Sequence, residues 1–256
     1  MADLAKLAET VDEAARTGTE IPQLTGEHGD LSVAEAYAIQ AISLARRYAR
    51  GERRVGMKMG LTSRAKMVQV GVDEMIWGRL TDAMQVEEGG SVDLARYVHP
   101  RIEPEVAFLL KAPLAGAVTP AQAMSAVEAV APAMEIIDSR YKNFKFTLAD
   151  VVADNSSSSG FVIGGWHRPD IDLSNLGMVM EFDGRARQVG SSAAILGDPV
   201  RSLVAAARLV ALWGERLEAG WIVMAGAATA AEPLTPGATV RTTVQHLGSV
   251  ALQVAK

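Results

Sequence analysis

The sequence predicts an α+β domain, with helices gathered early and a large mixed β core after them. Three observations carry this. Two helical apolar patterns occupy the N-terminal part, about residues 1–52. Short apolar runs rich in β-branched residues, punctuated by Gly and Pro, fill the rest, about residues 53–256. No internal repeat and no linker long enough to divide the chain is visible, so the 256 residues read as a single domain.

Composition narrows the function classes. The chain is 49% apolar and 21% charged, ordinary for a soluble globular protein and enough for a sizeable core. Net charge is −5 and the 25 basic residues form no long run, which makes nucleic acid and anionic membrane poor partners. There is no cysteine, hence no disulfide, thiolate metal site or Cys nucleophile. The start, Met1 to Lys6, lacks a basic segment followed by an apolar run, so no secretory signal is visible. No stretch reaches membrane-spanning length. A cytoplasmic enzyme or small-ligand binding protein is the expectation.

The elements follow in order. Leu4, Leu7, Val11 and Ala15 recur at helical spacing over residues 2–16, and Thr17-Gly18-Thr19 and Pro22 break the pattern. Ser32 and Glu35 form a capping box ahead of a longer helix with Val33, Tyr37, Ala41, Leu44 and Tyr48 on one side. Arg46, Arg47 and Arg50 fall in its last turns. In Arg54 to Ser63, Val55, Met57 and Met59 alternate with Gly56, Lys58 and Gly60, a strand with one nearly bare face. Strand glycines often mark a close approach to the backbone, so Lys58 reads either as a surface lysine or as one aimed into a cleft. Ser63 is a cap for a short helix through Val70, residues 76–86 read as strand, and Glu88-Gly89-Gly90 as a turn.

The run from Ile102 to Leu110 is apolar except for Glu103 and Glu105. Residues two apart on a strand share a face, about 7 Å apart along the chain. Burying two such carboxylates is unfavourable, and a hard divalent cation with oxygen ligands resolves it. Glu135, in the apolar run Ala131 to Ile137, offers a third carboxylate. The alternative is the solvated face of an edge strand, which Pro104 also suits.

Thr119-Pro120 starts a helix expected to reach about Val130, and the Glu135 strand ends in Asp138-Ser139-Arg140. Tyr141 to Phe146 reads as an exposed connection, either a lid over substrate or a loop anchored by its aromatics. Thr147 to Val152 is a short helix. The run Asp154 to Gly160 is Ser-rich, a linker or an anion-binding approach to the strand Phe161 to Ile163. A hairpin turns at Asp183-Gly184, and Asp198-Pro199 opens a helix with Val200, Leu203, Val204, Ala207, Val210 and Ala211 on one side. Strands follow near Trp221–Met224, Thr239–Gln245 and Ser249–Val254.

Taken together, Gly56 to Ser63, His99 to Glu105, Glu135 to Arg140, Val152 to Ser158 and Leu247 to Val250 resemble the fumarylacetoacetate hydrolase superfamily, in collinear order over essentially the whole chain. Within it they are similar to the hydratase/decarboxylase branch of the meta-cleavage pathway for catechols. The resemblance implies a mixed β-roll core with N-terminal helices around a Mg²⁺ or Mn²⁺ site. Glu103, Glu105 and Glu135 match the family's metal ligands, Lys58 its active-site lysine, and Ser157 and Ser158 the serines near the substrate carboxylate.

Two activities share this frame. The branch's hydratases carry an Asp where this chain has Ile76, although Met75 departs from the usual proline beside it. Hydration needs an acid/base group for water, whereas decarboxylation needs a dry site and an electron sink. Ile76 therefore favours decarboxylation of 2-oxo-3-hexenedioate to 2-hydroxypenta-2,4-dienoate, over 2-hydroxypentadienoate hydratase activity or a structural subunit of that hydratase. Ile76 and Leu61 would form the apolar wall, and Tyr141, Lys142 or Lys145 would orient the far carboxylate. His99 is assigned no catalytic role. The resemblance also implies a homo-oligomer and allows a complex with the hydratase.

Overall fold

The computed structural model describes residues 3–63 and 75–256, so the short helix expected from Ser63 to Val70 lies outside the described residues. The first helix, α1 (Leu4–Thr17), starts at Asp3, whose side chain accepts from the Lys6 N–H, and stops at Gly18 in the left-handed region, φ 60°. A short α2 (Leu24–His28) follows, and then α3 (Val33–Ala49), opened by the expected reciprocal capping box of Ser32 and Glu35. Leu7, Ala8 and Val11 of α1 and Ala36, Tyr37 and Ile39 of α3 are buried in the same core cluster. The basic end of α3 is fastened to α1 at buried Asp12, which accepts from Arg46 at 2.9 Å and Arg50 at 2.6 Å.

The strands are β1 (Arg54–Gly60), β2 (Ile76–Thr81), β3 (Gln85–Val86), β4 (Ser91–Val92), β5 (Arg101–Leu110), β6 (Val127–Ile137), β7 (Ser158–Ile163), β8 (Gly177–Phe182), β9 (Arg185–Ser191), β10 (Ile222–Met224), β11 (Glu232–Pro233), β12 (Thr239–Val244) and β13 (Gly248–Val254). The remaining helices are α4 (Pro120–Ser125), α5 (Leu148–Ala153) and α6 (Pro199–Leu212). One sheet runs β2-β1-β10-β5-β6-β7-β3 with β11 also on β5, and the other runs β4-β13-β12-β8-β9. Both are mixed: β1/β10, β3/β7 and β4/β13 pair parallel.

The first sheet curls until β2 meets the approach to β7. Arg79 N donates to Asn155 Oδ1 at 2.8 Å, Asn155 Nδ2 returns a bond to Arg79 O at 2.9 Å, and Ser156 Oγ donates to Trp77 O at 2.8 Å. Gly78 makes this closure fit, because a Cβ there would lie 2.3 Å from Asn155 O. On one face of the curled sheet Ile102, Met134, Ile136 and Val162 pack with Met180, Phe182, Val240, Val250 and Leu252 of the second sheet. On the other, Leu80, Phe161 and Met224 cluster with three alanines, Ala107, Ala131 and Ala133, inside the roll.

Several expectations are corrected. The helix after Pro120 ends at Ser125, and residues 127–130 already belong to β6. The apolar run there fits either state locally, and pairing along the whole length of β5 decides for strand. Residues 76–86 are two strands separated by a 3-10 turn at Asp82–Met84, where the Asp82 carboxylate accepts from the Arg53 and Ala83 N–H groups. Tyr141 is fully buried, with its hydroxyl donating to Asp150 O, so the 141–146 segment is anchored rather than exposed throughout. Glu103 and Glu105 lie on an interior strand, not an edge. Pro104 is tolerated because it faces the gap where β10 has ended and β11 has not begun. Among the described residues no helix is long and apolar enough to cross a membrane.

Candidate metal centre

Strand register assembles the site. Glu103 lies directly opposite Glu135 on the β5–β6 ladder, and Glu105 is two residues along on the same face. Oxygens of the three carboxylates lie within 4.8 Å of one another, and all three residues are buried. Lys58 reaches them from β1. It is 3% exposed, and its Nζ donates to Glu135 Oε2 at 3.0 Å. Glu105 Oε2 accepts from the Gly226 N–H at 2.7 Å.

The carboxylates repel one another. At an effective dielectric of about 20, two carboxylates 4.8 Å apart repel by about 3 kcal/mol. Among the described residues, the ammonium that pairs with the cluster is that of Lys58, on Glu135. Burial raises the Glu105 pKa well above the usual carboxylate range, Glu135 and Glu103 add to the rise, and Lys58 and the Gly226 N–H oppose it. Burial also raises Glu135, against the Lys58 charge. Glu105 Oε1 and Glu135 Oε1 are buried with no hydrogen-bond partner among the described residues. Ser158 Oγ, beside Glu135, is buried and likewise lacks a well-aligned partner.

A divalent cation fits this cluster. Oxygens bound to one ion at about 2.0–2.6 Å lie at most about 4–5 Å apart, close to the spread observed. The donor set is all oxygen, as a hard cation requires, and two of its oxygens have no other use.

Ile76 pairs with Gly60 and Gly78 with Lys58, so Ile76 shares the face of Lys58 two positions along. A Cβ on Gly60 would lie 2.9 Å from Ile76 Cγ1, so Gly60 makes room for that side chain. Gly56 has a different reason, since a Cβ there would lie 1.9 Å from Ile222 O, and it allows β10 to pair. The glycines flanking Lys58 thus admit the protein's own atoms rather than a ligand. Leu61 is half-buried in the left-handed region, φ 56°, and packs on the main core. Ser157 precedes β7, with its carbonyl accepting from Asp138 N. Tyr141 is excluded as a carboxylate contact because its hydroxyl is used internally. His99 is structural: Nδ1 lies 2.9 Å from Ser139 O, and its ring meets Phe144 edge-on.

Sequence reasoning missed Gly226. Its φ is +103°, and a Cβ would lie 2.1 Å from Thr62 Oγ1, so only glycine brings this N–H to Glu105. A lone glycine in Ala225-Gly226-Ala227 just after β10 was the available signal. It also missed that Asp138 pins the start of β5 to the end of β6, accepting from Val98 N at 3.0 Å and His99 N at 2.5 Å.

Comparison with known proteins agrees with this arrangement. A 4-oxalocrotonate decarboxylase from Pseudomonas sp is 62% identical over 247 residues, covering 96% of each chain. A 2-hydroxyhexa-2,4-dienoate hydratase from Comamonas testosteroni is 34% identical, covering 94% of this chain and 93% of its own. The solved structure of 4-oxalocrotonate decarboxylase from Pseudomonas putida G7, complexed with magnesium and adipate, superposes with a TM-score of 0.95 at 41% identity, covering 98% of this chain and 97% of that one. The model for the C-terminal region of fumarylacetoacetate hydrolase matches residues 54–255, which include every strand described above. With the curled sheet, the carboxylate cluster and these matches in agreement, the chain belongs to the fumarylacetoacetate hydrolase family.

Proposed function

We propose that this protein is a divalent-metal-dependent carboxy-lyase that converts 2-oxo-3-hexenedioate into 2-hydroxypenta-2,4-dienoate and CO₂. The observation that carries the reading is the buried trio Glu103, Glu105 and Glu135, whose oxygens converge within 4.8 Å and include two, Glu105 Oε1 and Glu135 Oε1, without a hydrogen-bond partner among the described residues. The 62% identical relative selects the reaction.

Glu103, Glu105 and Glu135 would hold Mg²⁺ or Mn²⁺. When bound, such an ion supplies a Lewis acid that draws electron density toward the 2-oxo group. The chain's own residues do the rest. Lys58, fixed by Glu135, places an ammonium beside the site where negative charge accumulates on the 2-oxo oxygen. Ser157 and Ser158 bracket the start of β7, and the Ser158 hydroxyl, beside Glu135 but without a well-aligned partner, would donate to the substrate carboxylate adjacent to the 2-oxo group. Ile76, on the Lys58 face, and Leu61 set an apolar wall against the far carboxylate. That wall disfavours the charged group relative to neutral CO₂, so the C5–C6 bond breaks and its electron pair moves through the conjugated system to the 2-oxo oxygen. A proton then completes the enol. Lys142 and Lys145, both exposed, are left as the candidates that orient the far carboxylate.

The test is CO₂ release from 2-oxo-3-hexenedioate with Mg²⁺, set against water addition to 2-hydroxypenta-2,4-dienoate, for the wild type and Glu105→Gln. Metal-dependent CO₂ release that the variant loses supports the reading. Water addition without CO₂ release, or release unaffected by the substitution, overturns it. The proposal extends to a homo-oligomer, with the hydratase as a further partner, and sedimentation of the protein alone and mixed with the hydratase measures both.

A further inference from the structure

We infer that a second polar cavity, between the α1–α3 helix pair and the Asp138–Arg140 segment, is a binding site for a small oxyanion, either a phosphate or a short carboxylate. The cavity has a volume of about 200 Å³, and none of the residues of the carboxylate cluster lines it. Its walls hold five guanidinium groups against three carboxylates. The rest of the lining offers only Ala15 and Ala83 as apolar side chains, which excludes an apolar ligand.

What distinguishes the cavity is which donors remain unused. Arg47 is paired with Glu52, and Arg50 with Asp12, so these two cations are compensated within the wall. Arg140 is buried, with Nε and Nη2 committed to Asp154. Its Nη1 donates to Ser159 Oγ at 2.6 Å, while Asp138 Oδ2 lies 3.6 Å away, beyond hydrogen-bond reach. One Nη1 hydrogen therefore has no acceptor among the described residues. Arg96 forms no ion pair among the described residues, and the ion-pair partner of Arg16, Glu13, does not line the cavity.

Tyr97 also lines the space, and its hydroxyl makes no hydrogen bond among the described residues. Burial pushes its pKa up, which keeps it a neutral donor. Donors of Arg96 and Arg140 that have no acceptor among the described residues meet here beside Tyr97. That combination selects an anionic acceptor, because guanidinium and phenol donors bind oxyanions by charge-assisted bonds. A water takes about 30 Å³ of liquid volume, so a cavity of about 200 Å³ accommodates one phosphate or a short carboxylate with a few waters.

The experiment follows the thermal midpoint of the full-length protein against added phosphate and, separately, succinate. Ionic strength is held constant with chloride, and both series are run with and without Mg²⁺. Four proteins are compared: wild type, Arg96→Ala, Tyr97→Phe, and Arg168→Ala as a control at a 91% exposed arginine outside the cavity. Wild type and the control should show the same saturable rise. Arg96→Ala should weaken the apparent affinity by about tenfold or more and Tyr97→Phe by several-fold, the range for losing a charged or a neutral hydrogen bond. Whichever of phosphate and succinate gives the tighter Mg²⁺-independent response identifies the anion. No saturable response to either anion, or equal responses in all four proteins, would mean a cavity filled by water alone and would overturn the inference.

Discussion

Replacing Gly226 by alanine tests how the carboxylate cluster is held. The added Cβ would lie 2.1 Å from Thr62 Oγ1 and 2.6 Å from Thr62 Cγ2, on a backbone with φ +103°. Forcing a side chain into that conformation costs about 1–3 kcal/mol, and relieving the overlap costs about 1–3 kcal/mol more. The relief must move either buried Thr62 or the Gly226 N–H, and that N–H holds Glu105 Oε2 at 2.7 Å. A hydrogen bond to a charged group is worth about 1.5–3 kcal/mol, so displacing it should weaken Mg²⁺ or Mn²⁺ binding by about ten- to a hundredfold. Denaturant unfolding reads the first effect and isothermal titration with metal reads the second. Adding Thr62→Ala removes the two shortest contacts but leaves a 2.8 Å approach to Cβ and the positive φ. The double variant should therefore recover part of the stability and part of the affinity, and it supplies a folded protein if the single one fails. Wild-type metal affinity in folded Gly226→Ala would refute the reasoning, since Glu105 would then need no fixed donor.

Three further outcomes are expected. Glu105→Gln should raise the unfolding midpoint of the metal-free protein by removing a buried like charge, while abolishing metal binding; a variant less stable without metal would contradict the repulsion argued here. Asp154, raised by burial to about 6 despite its bond to Arg140, holds a proton more tightly folded than unfolded. Its stabilising contribution is fully present below about pH 3.9 and is lost as pH rises through about 6, a change of about 3 kcal/mol. Chemical denaturation of wild type against Asp154→Asn across this window should show the wild type losing stability relative to the variant as pH rises. Ile76→Asp, which puts a carboxyl on the Lys58 face, should depress CO₂ release at least tenfold by wetting the wall, and rates on 2-oxo-3-hexenedioate measure it.

Much of the metal centre was legible because strand geometry is regular. A period of two puts Glu103 and Glu105 on one face from spacing alone, and the carboxylates' unfavourable burial then points to a cation. Cross-strand register was not legible, so on its own residues Glu135 was an acid in a second apolar run and its match to a metal ligand came from the family resemblance, although it lies directly opposite Glu103. Lys58 was visible through its bare flanks, yet the glycines serve Ile222 and Ile76, contacts that depend on which strands become neighbours. The boundary after Ser125 failed because an apolar run has no intrinsic state; the long partner strand supplies it. The Ser-rich run was ambiguous for a related reason. Ser156 closes the roll on Trp77 O, Ser159 serves Arg140, and Ser158 turns to Glu135, three roles that one composition cannot separate.

These roles tie the roll to the site. The side-chain bonds of Asn155 and Ser156 to the β2 backbone fix where β7 begins, and β7 begins with Ser158 beside Glu135. The same β2 carries Ile76 and, through its pairing with β1, sets the reach of Lys58. A shift of one residue in either pairing would turn Lys58 or Ser158 to the opposite face. Closing the sheet and orienting the donors around the carboxylates are therefore one structural event. Stability lost at Asn155 should appear in metal affinity as well, even though Asn155 touches none of the three glutamates. Asn155→Ala removes both bonds to Arg79 and leaves Lys58 and the glutamates chemically intact. It should weaken metal binding in the folded protein several-fold, measured by titration. Unchanged affinity alongside reduced stability would separate the two and show that the site is held by β1, β5 and β6 without the closure.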